Sequence, residues 1–494
     1  MKLGREAEGV SLLKKAPLWN PRPLLLGAVG TLIGGMLALR LDAAWLLGLG
    51  LMALLLSFPL LYKRHTWCFL PLLLGLTLLR GIFLPRDILP SGEYLLQGQV
   101  ISLPRQEREG QVVELWRLSA KGQPYAGTLW VTLPAELDVQ YGDWVQGRVF
   151  IQNTPYTIAP RQWGEGAAQG ELTVEKGQGP ALYGWVLRLR AGIEEHAEAL
   201  FALYAGEAKG MLLGQKDDIS YASYKAFVDS GLVHLLTVSG LHVGILCGAV
   251  FKLIRGRRWW LRGLLAGSFL LLYVVLTGFS PSTLRAAIMV FAAFILRASA
   301  REEDSLGVLS LSFCVLVLAD PRFLNSLGFQ LSYGAVWGLF MLEKPISRLW
   351  PGKKNELWNS MAASMGATLG TLPLLARVTG QVQWVGVFLS PAVLPVAAWF
   401  LIPGWVAIGL HALWAPLGEL AALVPKGVLY YIVHAARLGT VHPLTLSAPG
   451  WPVLALWFTA LFFLSPYFLP NKKQPPWVGY ALLAAALLVW MLGI

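Results

Sequence analysis

Two histidines and two hydroxyl residues interrupt an apolar stretch near the middle of the chain. Residues 234–246 read HLLTVSGLHVGIL, and the polar members are His234, Thr237, Ser239 and His242. Polar groups are costly to bury, and ionisable residues within apolar spans are functional candidates. Two kinds of chemistry fit them: a wet, hydrogen-bonding surface for a polar solute, or a serine nucleophile with a histidine base three residues away.

If this stretch is one helix, its polar and small residues separate onto two faces. His242 lies about 80° from His234 around the axis, and Ser239 about 60° beyond His242. Three glycines spaced by four residues occupy another face: Gly240, Gly244 and Gly248. That spacing is typical of closely packed membrane helices. We therefore predict a helix that lines a pore with its polar face and packs against a neighbour with its glycines.

A second candidate is the segment 277–291, TGFSPSTLRAAIMVF. Ser280 suits the N-cap of a helix and Pro281 its first position, which places Arg285 just inside the helix. The backbone already presents positive charge there, so a cation is unfavourable unless an anion meets it. Together with free amides and the hydroxyls of Ser282 and Thr283, Arg285 would form a phosphate cradle.

Simpler interpretations of these polar residues stay open. Arg285 could extend to the outer membrane surface, or it could pair with an acidic residue elsewhere: Asp217, Asp218 or Asp320. A third polar set, Gln330 and Ser332, lies in the segment 320–336, DPRFLNSLGFQLSYGAV. Its default role is hydrogen bonding between helices.

The composition indicates a polytopic α-helical membrane protein. Of the 494 residues, 55% are hydrophobic and 14% are charged, whereas soluble proteins have about a quarter charged. The apolar runs predict about 13 spans of roughly 20 residues each. Basic clusters flank these runs at 2–22, 63–64, 255–258, 297–301, 353–354 and 472–473. The net charge of +12 therefore fits the positive-inside rule, with the N-terminus cytoplasmic and the C-terminus outside.

Residues 92–176 alternate apolar and polar side chains in short runs such as GTLWVTL. About five strands in about 85 residues predict a small extracellular β-barrel of the OB type. Seven basic against ten acidic residues give it a net charge of −3, without the basic excess of a duplex binder. Four aromatic residues could stack single-stranded bases, fill the barrel core or rest on the membrane: Trp116, Tyr125, Trp130 and Trp144.

These patterns divide the chain into four parts. We predict N-terminal transmembrane helices over 1–90, the barrel over 91–178, amphipathic outer-surface helices over 179–230, and a second transmembrane domain over 231–494. Prolines interrupt its segment 382–413, which could form two tilted spans or re-entrant pieces. No cofactor or metal is expected, because the three cysteines are unpaired in spacing and the seven histidines form no zinc-ligand cluster.

Four motifs in this order resemble the ComEC family, the inner-membrane channel proteins of bacterial natural competence: HLLTVSGLHVG, LTGFSPSTLRAAIM, GFQLSYGAV and TLPLLARVTGQV. The resemblance covers nearly the whole chain, and the barrel occupies the position of the family's extracellular OB-type domain. It implies that one strand of incoming DNA crosses into the cytoplasm through this chain. His234, Ser239, His242, Pro281, Arg285 and Gln330 fall within the motifs.

The sequence departs from the family in two places. Ser390 precedes Pro395 where the family commonly has asparagine, which weakens any specific role for that position. Many members end in a metallo-β-lactamase-like domain, whereas this chain stops just after its last span. We therefore expect either a separate nuclease as a partner or that the sequence is part of a longer chain. A DNA receptor and membrane lipids are further expected partners. A cytoplasmic ATP-driven motor is expected too, because no G-x-x-x-x-G-K-[ST] loop is present in this sequence.

Two other classes of function compete with a DNA channel. A membrane-embedded hydrolase using Ser239 and His242 would need an orienting carboxylate and an oxyanion hole, and neither is evident. A small-solute transporter or flippase would be favoured by an inverted repeat, and the sequence has none that we can see. We therefore expect a channel that is not an enzyme.

Overall fold

The computed structural model describes residues 23–62, 68–83, 91–107, 110–120, 123–125, 127–153, 162–298, 304–349, 356–465 and 477–491. The chain forms two compact units, residues 1–88 with 295–324 (unit 1) and residues 89–294 with 325–494 (unit 2). The basic clusters at 2–22, 63–64, 301, 353–354 and 472–473 lie outside the described residues. The described cluster at 255–258 is exposed, as residues that flank a membrane helix should be.

The described helices follow the apolar runs of the sequence. In chain order they are α1 (Pro23–Ala38), α2 (Ala43–Tyr62), α3 (Phe69–Ile82), α4 (Ala181–Phe201), α5 (Ala205–Leu213), α6 (Tyr221–Asp229), α7 (Gly240–Leu253), α8 (Trp259–Leu276), α9 (Pro281–Ala298), α10 (Ser305–Ala319), α11 (Leu327–Ser347), α12 (Glu356–Thr379), α13 (Gly386–Leu413), α14 (Ala415–Ala421), α15 (Leu423–Leu438), α16 (Trp451–Leu464) and α17 (Trp477–Met491). Unit 1 holds α1, α2, α3 and α10, while α9 crosses the boundary between the units.

In unit 1, α1 and α3 pack backbone against backbone. A Cβ atom at Gly30 or Gly34 would overlap the main chain of Leu70 or Leu74 on α3. Thr31 lies fully buried beside them and donates its hydroxyl to the carbonyl of Gly27 at 2.7 Å. This local bond satisfies the hydroxyl within an apolar helix.

The first part of unit 2 is a closed β-barrel, which confirms the predicted small OB-like barrel. Its strands are β1 (Gly92–Val100), β2 (Arg105–Glu107), β3 (Gly110–Ala120), β4 (Gln123–Pro124), β5 (Thr128–Leu133), β6 (Trp144–Asn153) and β7 (Gln162–Glu175). The sheet runs β1-β6-β7-β5-β3 and closes through pairing of β1 with β3. Only β5 and β7 pair in parallel among the described strands. The interior is aliphatic, with Val113, Leu129 and Val131 fully buried.

The helical core of unit 2 forms around α5, α13 and α15. All nine residues of α5 are buried within the protein, which the predicted amphipathic outer-surface helices over 179–230 did not lead us to expect. Apolar contacts explain the difference: Met211, Leu212 and Leu213 face the same core as Phe400 of α13. The polar residues Glu207 and Lys209 are carried inside with them.

The proline-containing segment 382–413 forms one helix, α13, which contradicts the prediction of two spans or re-entrant pieces. This 28-residue helix contains Pro391, Pro395 and Pro403. Prolines are tolerated within a helix that neighbouring helices enclose. Neighbours enclose α13, since its residues Val393 and Phe400 are fully buried. Packing therefore compensates for the hydrogen bonds that proline removes.

Helix length and hydropathy agree with a membrane protein. Three of the described helices, α8, α9 and α13, are long and apolar enough to cross a bilayer. The helices α14 and α15 pass the same test as a pair bent by 48°, and shorter apolar helices of 10–17 residues occur in both units. The chain is a helical membrane protein with a small barrel domain. The predicted number of about 13 spans is not confirmed.

The closest helix packing in unit 2 joins α11 to α12. A Cβ atom at Gly338 or Gly370 would overlap the carbonyl oxygen of Gly366 or Gly334, respectively. By contrast, no atom of the described residues lies within 4 Å of a Cβ built at Gly244, and the same holds for Gly248. The prediction that the glycines of α7 mediate close packing is therefore wrong for Gly244 and Gly248, because no neighbouring element in the described part of the chain comes close to these two positions.

We predict that Gly338→Val destabilises the protein, because two methyl groups would be forced into the backbone of α12. Overpacking of this kind costs about 1–3 kcal/mol. Thermal unfolding of the purified protein in detergent would measure it as a lower midpoint.

Gly244→Val is the matched control, since it adds the same side chain where the described residues leave open space. Its midpoint should equal that of the wild type. Equal midpoints for both variants would contradict the close contact between α11 and α12.

Candidate functional site

The polar residues of the first motif are divided between two elements, so the prediction of one pore-lining helix is wrong. His234 lies in a 3-10 turn, Val233–Leu236, and Thr237 follows in extended conformation. Ser239 occupies the N-cap position, and α7 begins only at Gly240. A helical wheel therefore does not relate His234 to the residues of α7.

Local hydrogen bonds explain why the chain turns before α7. His234 is exposed, and its Nδ1 lies 3.1 Å from the carbonyl oxygen of Gly231. The Thr237 hydroxyl donates to the carbonyl of His234 at 2.9 Å. Bonds from side chains to nearby backbone groups compete with helix formation. The two residues thus shape the approach to α7.

Ser239 and His242 meet at the start of α7. The backbone N–H of Ser239 donates to His242 Nδ1 at 3.3 Å, and Ser239 Oγ lies 2.9 Å from the same nitrogen. Because Nδ1 accepts a hydrogen bond, a neutral His242 carries its proton on Nε2. His242 is 2% exposed, and its Nε2 has no hydrogen-bond partner among the described residues. The pair has the distance for base catalysis, but no described carboxylate orients the imidazole.

A strained turn leads from α8 into α9. The N–H groups of Gly278 and Phe279 donate to the carbonyls of Val275 and Val274, both at 3.0 Å, which is the Schellman pattern that ends a helix. Gly278 has φ +67°, as that pattern requires, but Phe279 also has φ +55°. A bulky residue rarely adopts this conformation, and such strain is typical of functional sites.

The start of α9 is as predicted in its backbone and differs in its hydroxyls. Ser280 Oγ accepts from the N–H of Thr283 at 3.3 Å, and α9 begins at Pro281. However, Ser282 Oγ donates to the carbonyl of Val238 at 2.7 Å, and Thr283 Oγ1 lies 2.7 Å from Ser280 Oγ. These two hydroxyls therefore do not belong to an open phosphate cradle. The Ser282 hydroxyl fastens α9 to the segment before α7, and the Thr283 hydroxyl stays within the start of α9.

Arg285, in the second turn of α9, is a buried cation. Its residue surface is 6% exposed, its Nη1 donates to the carbonyl of Ser332, and its guanidinium lies 5.8 Å from the centre of the Tyr333 ring. Its Nε is buried without a partner among the described residues. A Cβ atom at Gly240 would lie 3.2 Å from Nη2. Glycine at the start of α7 thus leaves room for the guanidinium.

The described part of the chain places no carboxylate against Arg285. The three acids considered from the sequence pair with other cations: Asp217 with Arg105, Asp218 with Lys209 and Asp320 with Arg322. Asp217 and Asp218 therefore have partners other than Arg285. The Arg285 side chain is buried and does not extend away from the protein.

Residues of three helices meet at this guanidinium. Arg285 belongs to the start of α9, Gly240 starts α7, and Ser332 and Tyr333 lie in the second turn of α11. Each helix start carries about half a positive charge. Two buried nitrogens, Arg285 Nε and His242 Nε2, remain without partners among the described residues. The guanidinium with its unpartnered N–H suits an anion with several oxygens, such as a phosphodiester.

Tyr333 extends the site along α11, and Gln330 lies nearer the start of the same helix. Gln330 lies in the first turn, where its backbone N–H donates to the carbonyl of Ser326 at 3.0 Å. The sequence did not predict that the Tyr333 ring and the Ser332 carbonyl contact Arg285. Their only signal was their position inside the motif GFQLSYGAV.

The four aromatic residues of the barrel lie outside its buried aliphatic interior. Tyr125 packs against that interior. Trp116 on β3 is 38% exposed, with the guanidinium of Arg117 at 4.8 Å from its ring. Trp130 on β5 is half-buried, with the guanidinium of Arg105 at 5.9 Å, and Trp144 at the start of β6 is also half-buried. Filling of the barrel core is thus excluded for the tryptophans, while base stacking stays a prediction.

Metal ligands do not cluster in the described residues. No group of three or more histidine, cysteine, aspartate or glutamate side chains there could hold an ion. The nearest approach is His196 on α4 and His411 on α13, whose Nδ1 atoms lie 3.0 Å apart.

Comparison with known proteins places these motifs in a family. The family described as Competence protein matches residues 211–474, more than half of the chain. ComE operon protein 3 of Bacillus subtilis (strain 168) is 33% identical over 221 residues, which cover 44% of this chain and 28% of that protein. Competence protein ComA of Neisseria gonorrhoeae is 24% identical over 371 residues, which cover 72% of this chain and 50% of that protein.

The matched regions thus span half or less of these two relatives. No solved structure matches the chain. The family match includes every residue of the site around Arg285, from Gly240 to Tyr333. The chain therefore belongs to the Competence protein family, as its resemblance to ComEC-type proteins predicted.

Proposed function

We propose that this chain forms a membrane channel that passes single-stranded DNA into the cytoplasm during DNA uptake for natural transformation. Arg285 carries the proposal. A buried charge without a counter-charge costs several kcal/mol, and this one lies beside the start of α7, where the helix dipole adds to the positive potential. Such an arrangement is favourable only while an anion occupies it. The phosphates of a passing strand would supply that anion in turn.

The small number of cationic groups at the site supports passage over storage. Each phosphate contact adds to affinity and to its salt dependence, so a path lined with many arginines would hold the strand. Here one arginine offers contacts for a single phosphate at a time. A strand could therefore enter and leave step by step.

The proposal includes a place and partners for the channel. The protein would lie in the bacterial inner membrane with its N-terminus in the cytoplasm and its C-terminus and barrel outside. Single-stranded DNA would reach it from a DNA receptor and a separate nuclease. A cytoplasmic ATP-driven motor would pull the strand. The names of the relatives ComE operon protein 3 and Competence protein ComA support the setting in competence.

A membrane hydrolase is the second candidate, since Ser239 Oγ lies 2.9 Å from His242 Nδ1. The same nitrogen also accepts from the Ser239 backbone N–H, so it serves the helix start. Neither an acid on Nε2 nor a described oxyanion hole completes the pair. We therefore propose that Ser239 and His242 shape the channel and have no catalytic role.

We predict that Arg285→Gln lowers the uptake of labelled DNA into the cytoplasm. The variant loses hydrogen bonds to a charged group, worth roughly a ten- to hundredfold change. Arg285→Lys should restore part of the uptake, because it keeps the charge but not the planar donor set. The measurement is internal single-stranded DNA in competent cells that carry only the variant, at matched membrane levels.

Arg262→Gln is the matched control. Arg262 on α8 also has a buried Nε without a partner among the described residues and lies 5.9 Å from an aromatic ring, that of Phe251. It lies near the opposite end of α7. Uptake of labelled DNA by cells that carry Arg262→Gln should stay at the wild-type level. Equal uptake by Arg285→Gln and the wild type would refute the proposed channel site.

Ser239→Asn separates the two candidate functions. Asparagine is as good as serine at an N-cap position, but its amide is no nucleophile. A channel should keep most of its uptake in this variant, whereas a serine hydrolase should lose all activity. The uptake assay above measures this difference, and complete loss in a normally inserted Ser239→Asn protein would favour the hydrolase.

A further inference from the structure

Two adjacent carboxylates extend from one short loop, residues 214–220, to different parts of unit 2. Asp218 pairs with Lys209 of α5, and Gln215 Nε2 donates to Asp218 at 3.2 Å. The Lys209 side chain is 3% exposed and also contacts Glu198 at 2.6 Å. Burial lowers the pKa of Lys209, but its two carboxylate partners outweigh this and raise it. The lysine is therefore charged and anchors the loop to the helical core.

Asp217 extends in another direction, to Arg105 on β2 of the barrel. The side chains of this pair are 32% and 56% exposed for Arg105 and Asp217, so a solute can reach it. The same guanidinium lies 5.9 Å from the centre of the Trp130 ring on β5. The loop thus connects the barrel to the helical core through two neighbouring acids.

A guanidinium beside an indole ring matches the two parts of a nucleotide. Arginine binds a phosphate oxygen, and tryptophan stacks a base of a single strand. The carboxylate of Asp217 occupies the position on Arg105 that a phosphate oxygen would take. A second pair on the barrel, Arg117 over Trp116, has no acidic partner among the described residues. Asp217 therefore distinguishes the first pair.

We propose that Arg105 and Trp130 bind one nucleotide unit of single-stranded DNA, and that Asp217 competes with the DNA phosphate for Arg105. This inference rests on the proposed function and specifies how the barrel would take part in it. When DNA displaces Asp217, the loop loses its contact with the barrel and keeps the one with Lys209. Arrival of DNA thus loosens a connection between the barrel and the helical core.

The test is binding of a fluorescent oligo-dT of about 16 nucleotides, the upper site size of an OB-fold, to the full chain in lipid nanodiscs. Asp217→Asn should bind about two- to fivefold more tightly than the wild type, because an exposed ion pair no longer competes. Arg105→Gln should bind more weakly, and its salt dependence should be shallower by about 0.7 in log–log slope.

Two further variants separate competition from general charge effects. Asp138→Asn removes an acid from another exposed ion pair of the barrel, that with Lys176 at 2.9 Å. It should change the affinity less than Asp217→Asn does. In the Arg105→Gln background, Asp217→Asn should have no effect beyond that of Asp138→Asn.

Equal affinities for Asp217→Asn and Asp138→Asn would overturn the inference, as would a gain from Asp217→Asn that persists without Arg105. Absence of oligo-dT binding by the wild type would overturn it as well. The proposed channel is judged separately, by uptake in the Arg285 variants. If Arg285→Gln loses DNA uptake as predicted while Asp217→Asn binds oligo-dT as the wild type does, the inference about Asp217 is refuted and the proposed channel is not.

Discussion

The uncompensated charge of Arg285 is the constraint on which the rest of the site depends. A buried guanidinium without an acid is expensive, so its surroundings must supply every contact that they can. The carbonyl of Ser332 accepts from it, the ring of Tyr333 lies beside it, and Gly240 gives it space. The bond from Ser282 to Val238 keeps the starts of α7 and α9 together. Loosening any of these contacts would let water or another residue neutralise the charge.

Lys209 and Arg285 show two solutions to the burial of a cation in the same unit. Lys209 is compensated by Asp218 and Glu198, and its role is to hold a loop in place. Arg285 contacts the backbone carbonyl of Ser332 and the aromatic ring of Tyr333, but no described carboxylate. A buried cation held by two carboxylates attracts a further anion only weakly, whereas an unpaired one keeps its full attraction. The chain therefore separates structural positive charge from positive charge that remains available to a ligand.

Local signals in the sequence predicted much of the fold. Alternation over 92–176 identified the barrel, and Ser280 with Pro281 identified the start of α9, because strands and caps depend on a few neighbouring residues. The start of α7 was misplaced since the apolar run continues on both sides of Ser239. Spacing also failed to identify the packing glycines. Gly334 and Gly338 have the same spacing as Gly240 and Gly244, and only the position of a neighbouring helix decides which pair is used.

The sequence was sufficient to predict which residues belong to the site, but it was not sufficient to predict their contacts. Arg285 and His242 were recognised because ionisable groups are rare in apolar segments. Their partners come from α11 and from backbone groups, which no pattern of side chains reveals. The burial of α5 is a similar case. The apolar contacts of Met211 and Leu212 with the core outweigh the cost of taking Lys209 inside as an ion pair, which the polarity of the segment 179–230 did not reveal.

The three prolines of α13 have a mechanical consequence. Proline has no N–H, so Pro391, Pro395 and Pro403 cannot donate to the carbonyls four residues earlier, at Val387, Pro391 and Trp399. The helix is therefore continuous in shape but interrupted in its ladder of hydrogen bonds. It can bend at these three places without breaking a bond. This long helix in the helical core of unit 2 is thereby more flexible at the three prolines than along the segments between them.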